Sequence, residues 1–411
     1  MAALIKHIVS LITVRSKALT LIIAAGALLA GIFYSYLLKN QIRFIPDESD
    51  YVALTQNFST HLQYSLDGKD PTAYRPPGYV FLLSLAQLSG LGIVGYRIIN
   101  FILYATGLVL LSAILRAEVS PLAASSGVLA VVAYPVLFYT AGTLYPQTLA
   151  GFLLLAILYV IRFPKLRLAH FVLLGALSAW LVLSVPTFFV IIMVCLVWFY
   201  IKRKSFRELG VVLGVFILLI GAWTLRNALV FHTLVPVSTN TGDNLIRGNS
   251  EFTTPNSGPS TDVSRYMQAV ASMDEITRDR YLQKQVIELW KANPGWAVKL
   301  YAGKVLNYFN YHNELVTKSE SSSSRDIVML VTYGALLILG IGRLLMRKLP
   351  LSPFEWLLVI MYVGNAFYSA IVFTRIRYRL PFDYLLILLA ASFAARWLHA
   401  HLPLAVKETA Q

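Results

Sequence analysis

The sequence predicts an all-α polytopic membrane protein, with about ten transmembrane helices, interfacial juxtamembrane helices in the first outer loop, and a larger outer loop between spans 7 and 8. Three observations predict it. Of the 411 residues, 57% are hydrophobic and only 13% are charged, a balance that a water-soluble globule hides with difficulty. The mean hydropathy is +0.65. Apolar runs of about 20 residues, long enough as helix to cross a hydrocarbon core, recur along the chain. The formal net charge of +15 does not point to nucleic acid, because the basic residues are scattered between apolar runs and form no single basic face. The charge is assigned instead to membrane topology and to an anionic ligand. The lone cysteine, Cys195, lies mid-run, which excludes an intrachain disulfide and a cysteine metal cluster.

Taken in order, the apolar runs place helices near 18-38, 95-115, 121-141, 146-162, 167-185, 187-201, 208-229, 327-346, 354-373 and 382-400. The first follows a basic start (Lys6, Arg15, Lys17) and exceeds a signal-peptide core in length, with no clear small-residue cleavage site after it. It reads as a retained span. The segments 1-17, 116-120, 162-167, 202-207, 343-350 and 396-411, with their edges, hold 16 of the 35 basic residues but only four acidic ones, Glu118, Glu208, Glu355 and Glu408. The positive-inside rule makes that side cytoplasmic. The opposite side then carries two large loops, 39-94 and 230-326. Residues 274-309 mix apolar and charged positions as amphipathic interfacial helices do, and "SESSSS" (319-324) reads as a flexible linker. The chain divides accordingly into a transmembrane module at 1-229 that includes the outer loop 39-94, an extracytoplasmic loop at 230-326, and C-terminal spans at 327-411.

Three outward features carry chemistry. The turn "FTRIRYRLP" (373-381) puts Arg375, Arg377 and Arg379 on the side where few positive charges are expected, so an anion should offset them. Snorkelling to lipid headgroups or pairing with loop carboxylates is the simpler alternative. Asp383, just past Pro381, reads as a charge partner of a helix N-terminus. In "YRPPGYVFLLSLAQLSGLG" (74-92) two prolines open a helix whose 14 or so apolar residues are too few to span, so it is expected along the outer interface. Arg75 precedes that helix and would aim with its N-terminus at a phosphate, or would merely end the loop. Finally, "FIPDESDY" (44-51) sets Asp47, Glu48 and Asp50 just beyond the first span. They either favour a juxtamembrane helix N-terminus or supply a general base for an acceptor hydroxyl. The histidines lie apart and make no zinc-like spacing.

The order of "PDESDY", "YRPPGY" and "GYRIINFILYATGLVLL", then "WTLRNALVFHTLVPVSTNTGDNLIRGN" (223-249) and "RYRLPFDYLLILLAA" (377-391), resembles the type C membrane glycosyltransferases of the aminoarabinose-transferase and protein O-mannosyltransferase kind. Such enzymes move a sugar from a polyprenyl-phosphate carrier to an acceptor on the outer side of the membrane. The resemblance implies that Asp47 matches the catalytic aspartate of the first loop and Glu48 its acidic neighbour. It also implies that Arg75 lies near the carrier phosphate and that Arg377 and Arg379 match the terminal basic motif. Tyr74 and Arg226, inside the "YRPPGY" and "WTLRN" stretches, and Arg375 complete the expected binding set. The chain departs from the family at "GTLYPQT" (142-148), where relatives often carry an acid and Gln147 is neutral.

The sequence reading is thus a glycosyltransferase of the inner (plasma) membrane with its active site facing the periplasm or exterior. Its expected partners are a polyprenyl-phosphate sugar donor, a glycan, lipid or protein acceptor, and the bilayer. No cofactor is assigned, and a divalent cation is left open. Displacement of phosphate needs cations at the leaving oxygen, and the acceptor hydroxyl needs one base; direct attack would invert the anomeric centre. Two other classes stay open: a polysaccharide polymerase or ligase using a lipid diphosphate, and a lipid-linked oligosaccharide flippase. The few ionisable residues in mid-span weigh against the flippase.

Overall fold

The computed structural model describes residues 12–44, 46–163, 165–312 and 323–401. Every apolar run predicted to be helical is helical. The first is α1 (Ser16–Leu38), followed by α2 (Asp47–His61) and α3 (Pro77–Gln87) in the first loop, and then by the long α4 (Gly92–Glu118). Next come α5 (Pro121–Val132), α6 (Pro135–Ala141), α7 (Gln147–Ile161), α8 (Leu168–Ser184), α9 (Phe188–Arg203) and α10 (Phe206–Phe231). The 230-326 loop holds α11 (Thr241–Asn249), α12 (Ser264–Ala269), α13 (Glu275–Ala292) and α14 (Pro294–Asn307), and α15 (Ser323–Leu345), α16 (Pro353–Val372) and α17 (Ile376–His401) follow.

The protein is a multi-pass membrane protein, and length and composition alone mark fewer than ten helices as crossing ones. Among the described residues six helices, α1, α4, α10, α15, α16 and α17, are long and apolar enough to cross, or seven if the bent pair α5–α6 is one span. The reason is local. The 121-141 run is broken before Pro135 and bends by 65°, while α7 and α8, at 15 and 17 residues, fall short of full crossing length. Of "SESSSS", residues 319–322 lie outside the described residues and Ser323 and Ser324 begin α15.

Polar signals set several boundaries. Ser120 accepts from Ala123 N at the start of α5 with Pro121 at the first helical position, and Ser352 and Glu355 form a reciprocal capping box on α16. The core runs through α4, α5, α7, α8 and α17, and 78% of the apolar window of α17 is buried. Helix α3 packs closely on the bundle. Seven of its 11 residues are buried, and Gly78 lies so close to α8 that a Cβ there would sit 2.8 Å from Leu183 C. Trp180 Nε1 also donates to Gly78 O at 2.9 Å. The 230-326 loop has a small core of its own, with Ile246 of α11 packed on Leu282 and Val286 of α13.

Candidate active site

Helix α2 opens with three acids in its first turn, an arrangement favoured by the positive end of the helix dipole. Helical geometry then separates them. Residues three and four apart share a face, so Asp47, Asp50 and Tyr51 look one way while Glu48 is turned by about 100°. Arg75, in extended backbone before Pro76 and Pro77, meets the first face. Its Nη2 donates to Asp47 Oδ1 at 2.6 Å and to Asp50 Oδ2 at 2.7 Å, and its Nε donates to Asp50 Oδ2 at 3.0 Å. Arg377, at the start of α17, closes the other side, with Nη1 donating to Asp47 Oδ2 at 2.7 Å. Its guanidinium lies 4.5 Å from the Tyr145 ring centre, and its Nη2 donates to Tyr378 Oη at 2.5 Å. One carboxylate thus joins two arginines separated by about 300 residues of chain, at side-chain exposures of 13 to 28%.

The charges act unequally on the two aspartates. Burial pushes the Asp47 carboxyl up, but the guanidiniums of Arg377 and Arg75 outweigh it and hold the group below its ordinary value. At Asp50 burial prevails over Arg75, and the carboxyl is raised. In the Arg75 guanidinium the neighbouring carboxylates and tyrosines overcome burial and raise its pKa.

Glu48 faces elsewhere. It is fully buried, its Oε2 accepts from Arg43 N at 2.7 Å and Phe44 N at 3.2 Å, and its Oε1 accepts from Leu144 N at 2.8 Å. It ties the end of the first span and the 142-146 loop to α2. Glu48→Ala is expected to cost roughly 3 kcal/mol, since it strands buried N–H groups, and a thermal-unfolding comparison in detergent checks this.

The remaining expected residues are distributed around the cluster. Tyr74 stacks 5.0 Å under the Arg75 guanidinium and donates its hydroxyl to Asp243 Oδ2 at 2.7 Å, linking the site to α11. Arg226 clamps the first loop: its Nη1 donates to Thr72 O at 2.8 Å, and its guanidinium lies 5.0 Å from the Trp223 ring centre. Arg375 donates to Asn256 O at 3.1 Å and Ser260 Oγ at 3.3 Å in the 230-326 loop. Arg379 turns into the bundle and is 1% exposed, with Nε 3.1 Å from Asp383 Oδ1. Asp383 is therefore not a helix-end charge: α17 begins at Ile376, and Asp383 sits two turns inside it.

Sequence reasoning missed Glu275 and Asp243. Glu275 accepts from Thr72 Oγ1 at 2.6 Å, from Ala73 N at 2.9 Å and from Thr239 Oγ1, holding the Arg75 segment from 200 residues away. No local spacing signals such a contact. Among the described residues no group of three or more His, Cys, Asp or Glu side chains is placed to hold a metal ion, and both Asp47 oxygens face guanidiniums. The donor set fits guanidinium chemistry on an anion, not a cation site.

No family model matches the chain, and no curated protein matches it. Solved structures do. The oligosaccharyltransferase of Archaeoglobus fulgidus, crystallised with Zn and sulfate, superposes with a TM-score of 0.50 at 14% identity, covering 92% of this chain and 50% of that one. ArnT from Cupriavidus metallidurans bound to undecaprenyl phosphate gives 0.42 at 15% identity, covering 91% and 77%. The archaeal oligosaccharyltransferase AglB in complex with an inhibitory peptide and a dolichol-phosphate gives 0.45 at 13% identity, covering 94% and 52%. The chain spans about half the length of the oligosaccharyltransferase it matches.

Proposed function

We propose, for a chain that has the fold of a type C membrane glycosyltransferase, that it transfers a sugar from a polyprenyl-phosphate carrier to an acceptor hydroxyl at the outer membrane face. The observation that carries this is the Arg75–Asp47–Arg377 bridge, a proton acceptor held between two phosphate-type donors at the outer edge of the first span.

In the bridge each charge neutralises the other. A carrier phosphate that takes over guanidinium donors of Arg75 and Arg377 withdraws their stabilisation from Asp47. Burial then dominates, and the carboxylate becomes a stronger base when substrate is present. The acceptor oxygen attacks the anomeric carbon and gives its proton to Asp47. The bond from that carbon to the phosphate oxygen breaks, and the carrier leaves as a phosphate held by the two arginines. Each aimed donor is worth roughly 3 kcal/mol in the transition state. Direct attack inverts the anomeric centre. Glu48 anchors Asp47 through backbone bonds and takes no proton. Arg377→Lys replaces the fork by a point charge and is expected to weaken polyprenyl-phosphate binding about tenfold, read by titration in nanodiscs. Mass spectrometry of lipids copurified from native membranes tests the reading as a whole. A polyprenyl monophosphate sugar supports it, and a diphosphate-linked glycan would move the chain to the polymerase or ligase class.

A further inference from the structure

We propose that the cleft beside Tyr378 binds an uncharged, hydroxyl-rich sugar and that the Gln147 side-chain amide reads one of its hydroxyls. This rests on the glycosyl-transfer reading and adds the substrate's class to it. The half-open cleft, with a cavity volume of about 80 Å³, lies between the starts of α7 and α9, helix α11, and α16 with α17. Gln147, Thr187, Asn244, Asn365, Ser369 and Tyr378 are among its polar lining, and no charged side chain among the described residues lines it. It adjoins the charge cluster through Tyr378, whose hydroxyl accepts from the same guanidinium that holds Asp47.

Gln147 decides the chemistry. It is only 6% exposed, and its Oε1 has no hydrogen-bond partner among the described residues. Asn365, across the cleft, differs: its Nδ2 donates to Tyr308 Oη at 3.1 Å and its Oδ1 accepts from Ser369 Oγ at 3.2 Å. Buried carbonyl oxygens without a donor are rare and costly, so the Gln147 amide is built to receive an O–H or N–H from something that enters. A sugar offers several O–H donors. An ammonium-bearing sugar would find no carboxylate in this lining and a carboxylated one no cation, so either would be desolvated without compensation. The same polyol chemistry belongs to a donor sugar and to a glycan acceptor, and the test separates them.

The protein in nanodiscs is titrated with farnesyl phosphate, glucosyl farnesyl phosphate, glucosaminyl farnesyl phosphate and methyl β-glucoside. The wild type is expected to bind the glucosyl lipid about tenfold more tightly than farnesyl phosphate, the step that one added hydrogen bond supplies, and to gain nothing from glucosamine. Gln147→Leu should erase the glucosyl gain, and Gln147→Glu should shift preference to the glucosaminyl lipid. A gain that survives Gln147→Leu, or that is equal for both sugars, overturns the proposal. A Gln147-dependent signal with methyl β-glucoside alone keeps the proposal and assigns the cleft to the acceptor. Failure to bind farnesyl phosphate at all defeats the glycosyl-transfer reading, while Gln147-dependent binding of the free glucoside would still stand.

Discussion

Asp47→Asn is expected to fold and insert like the native chain while losing transfer by about 10²- to 10⁴-fold, the range that a positioned general base contributes. The amide keeps the shape but cannot take a proton. The same change should strengthen binding of polyprenyl phosphate, because Asp47 is the internal anion that competes for the Arg75 and Arg377 donors. Tighter carrier binding with abolished turnover separates a base from a structural ion pair, whose loss would lower affinity and stability together. Native turnover in the variant would reject the assignment. The pH profile has a fixed sign. The Asp47 carboxyl lies below its ordinary value in the free protein, so its bridge contributes stability above the usual carboxylate range and loses it as pH falls through the lowered value. Turnover should fall on the acid side at a higher pH than this stability does, because carrier binding raises the carboxyl.

Arg379→Met carries the second large effect, on stability. Arg379 and Asp383 are one helical turn apart inside α17, and both are buried. The carboxylate also accepts from Tyr134 Oη at 2.8 Å and Tyr362 Oη at 3.2 Å. Arg379 Nη1 donates to Tyr308 O at 2.7 Å and Asn310 O at 2.6 Å, which fastens the segment after α14 to the bundle, and its guanidinium lies 3.5 Å from the Tyr333 ring centre. Removing the arginine leaves a buried carboxylate unpaired, at roughly 3–5 kcal/mol. The double variant Arg379→Met, Asp383→Leu should recover much of that loss, since replacing both partners by apolar groups is often near neutral. Thermal unfolding of the single and double variants in detergent measures both. A stable Arg379→Met protein with weakened carrier binding would instead return Arg379 to the phosphate site.

The two arginines differ because of where a helix starts. In a turn before a helix at 382, residues 377 and 379 are equivalent. With α17 beginning at Ile376 they are about 200° apart around its axis, so one reaches Asp47 and the other the bundle interior. Asp47 and Glu48 divide by the same geometry, one outward to guanidiniums and one inward to backbone N–H groups. Hydropathy gave no warning that α3 would be buried, because burial there depends on Gly78 meeting α8, a neighbour about 100 residues distant in the chain.

The membrane class, the ten helical segments and the residue types beside the first span are legible in the amino-acid sequence, because hydropathy, helix signals and charge are properties of neighbouring residues. Which acid meets which arginine, the hold of Glu275 on the Arg75 segment, and the burial of Gln147 Oε1 with no hydrogen-bond partner among the described residues emerge only in three dimensions. Those facts depend on helix phase and on contacts across hundreds of residues, and local pattern carries no record of either.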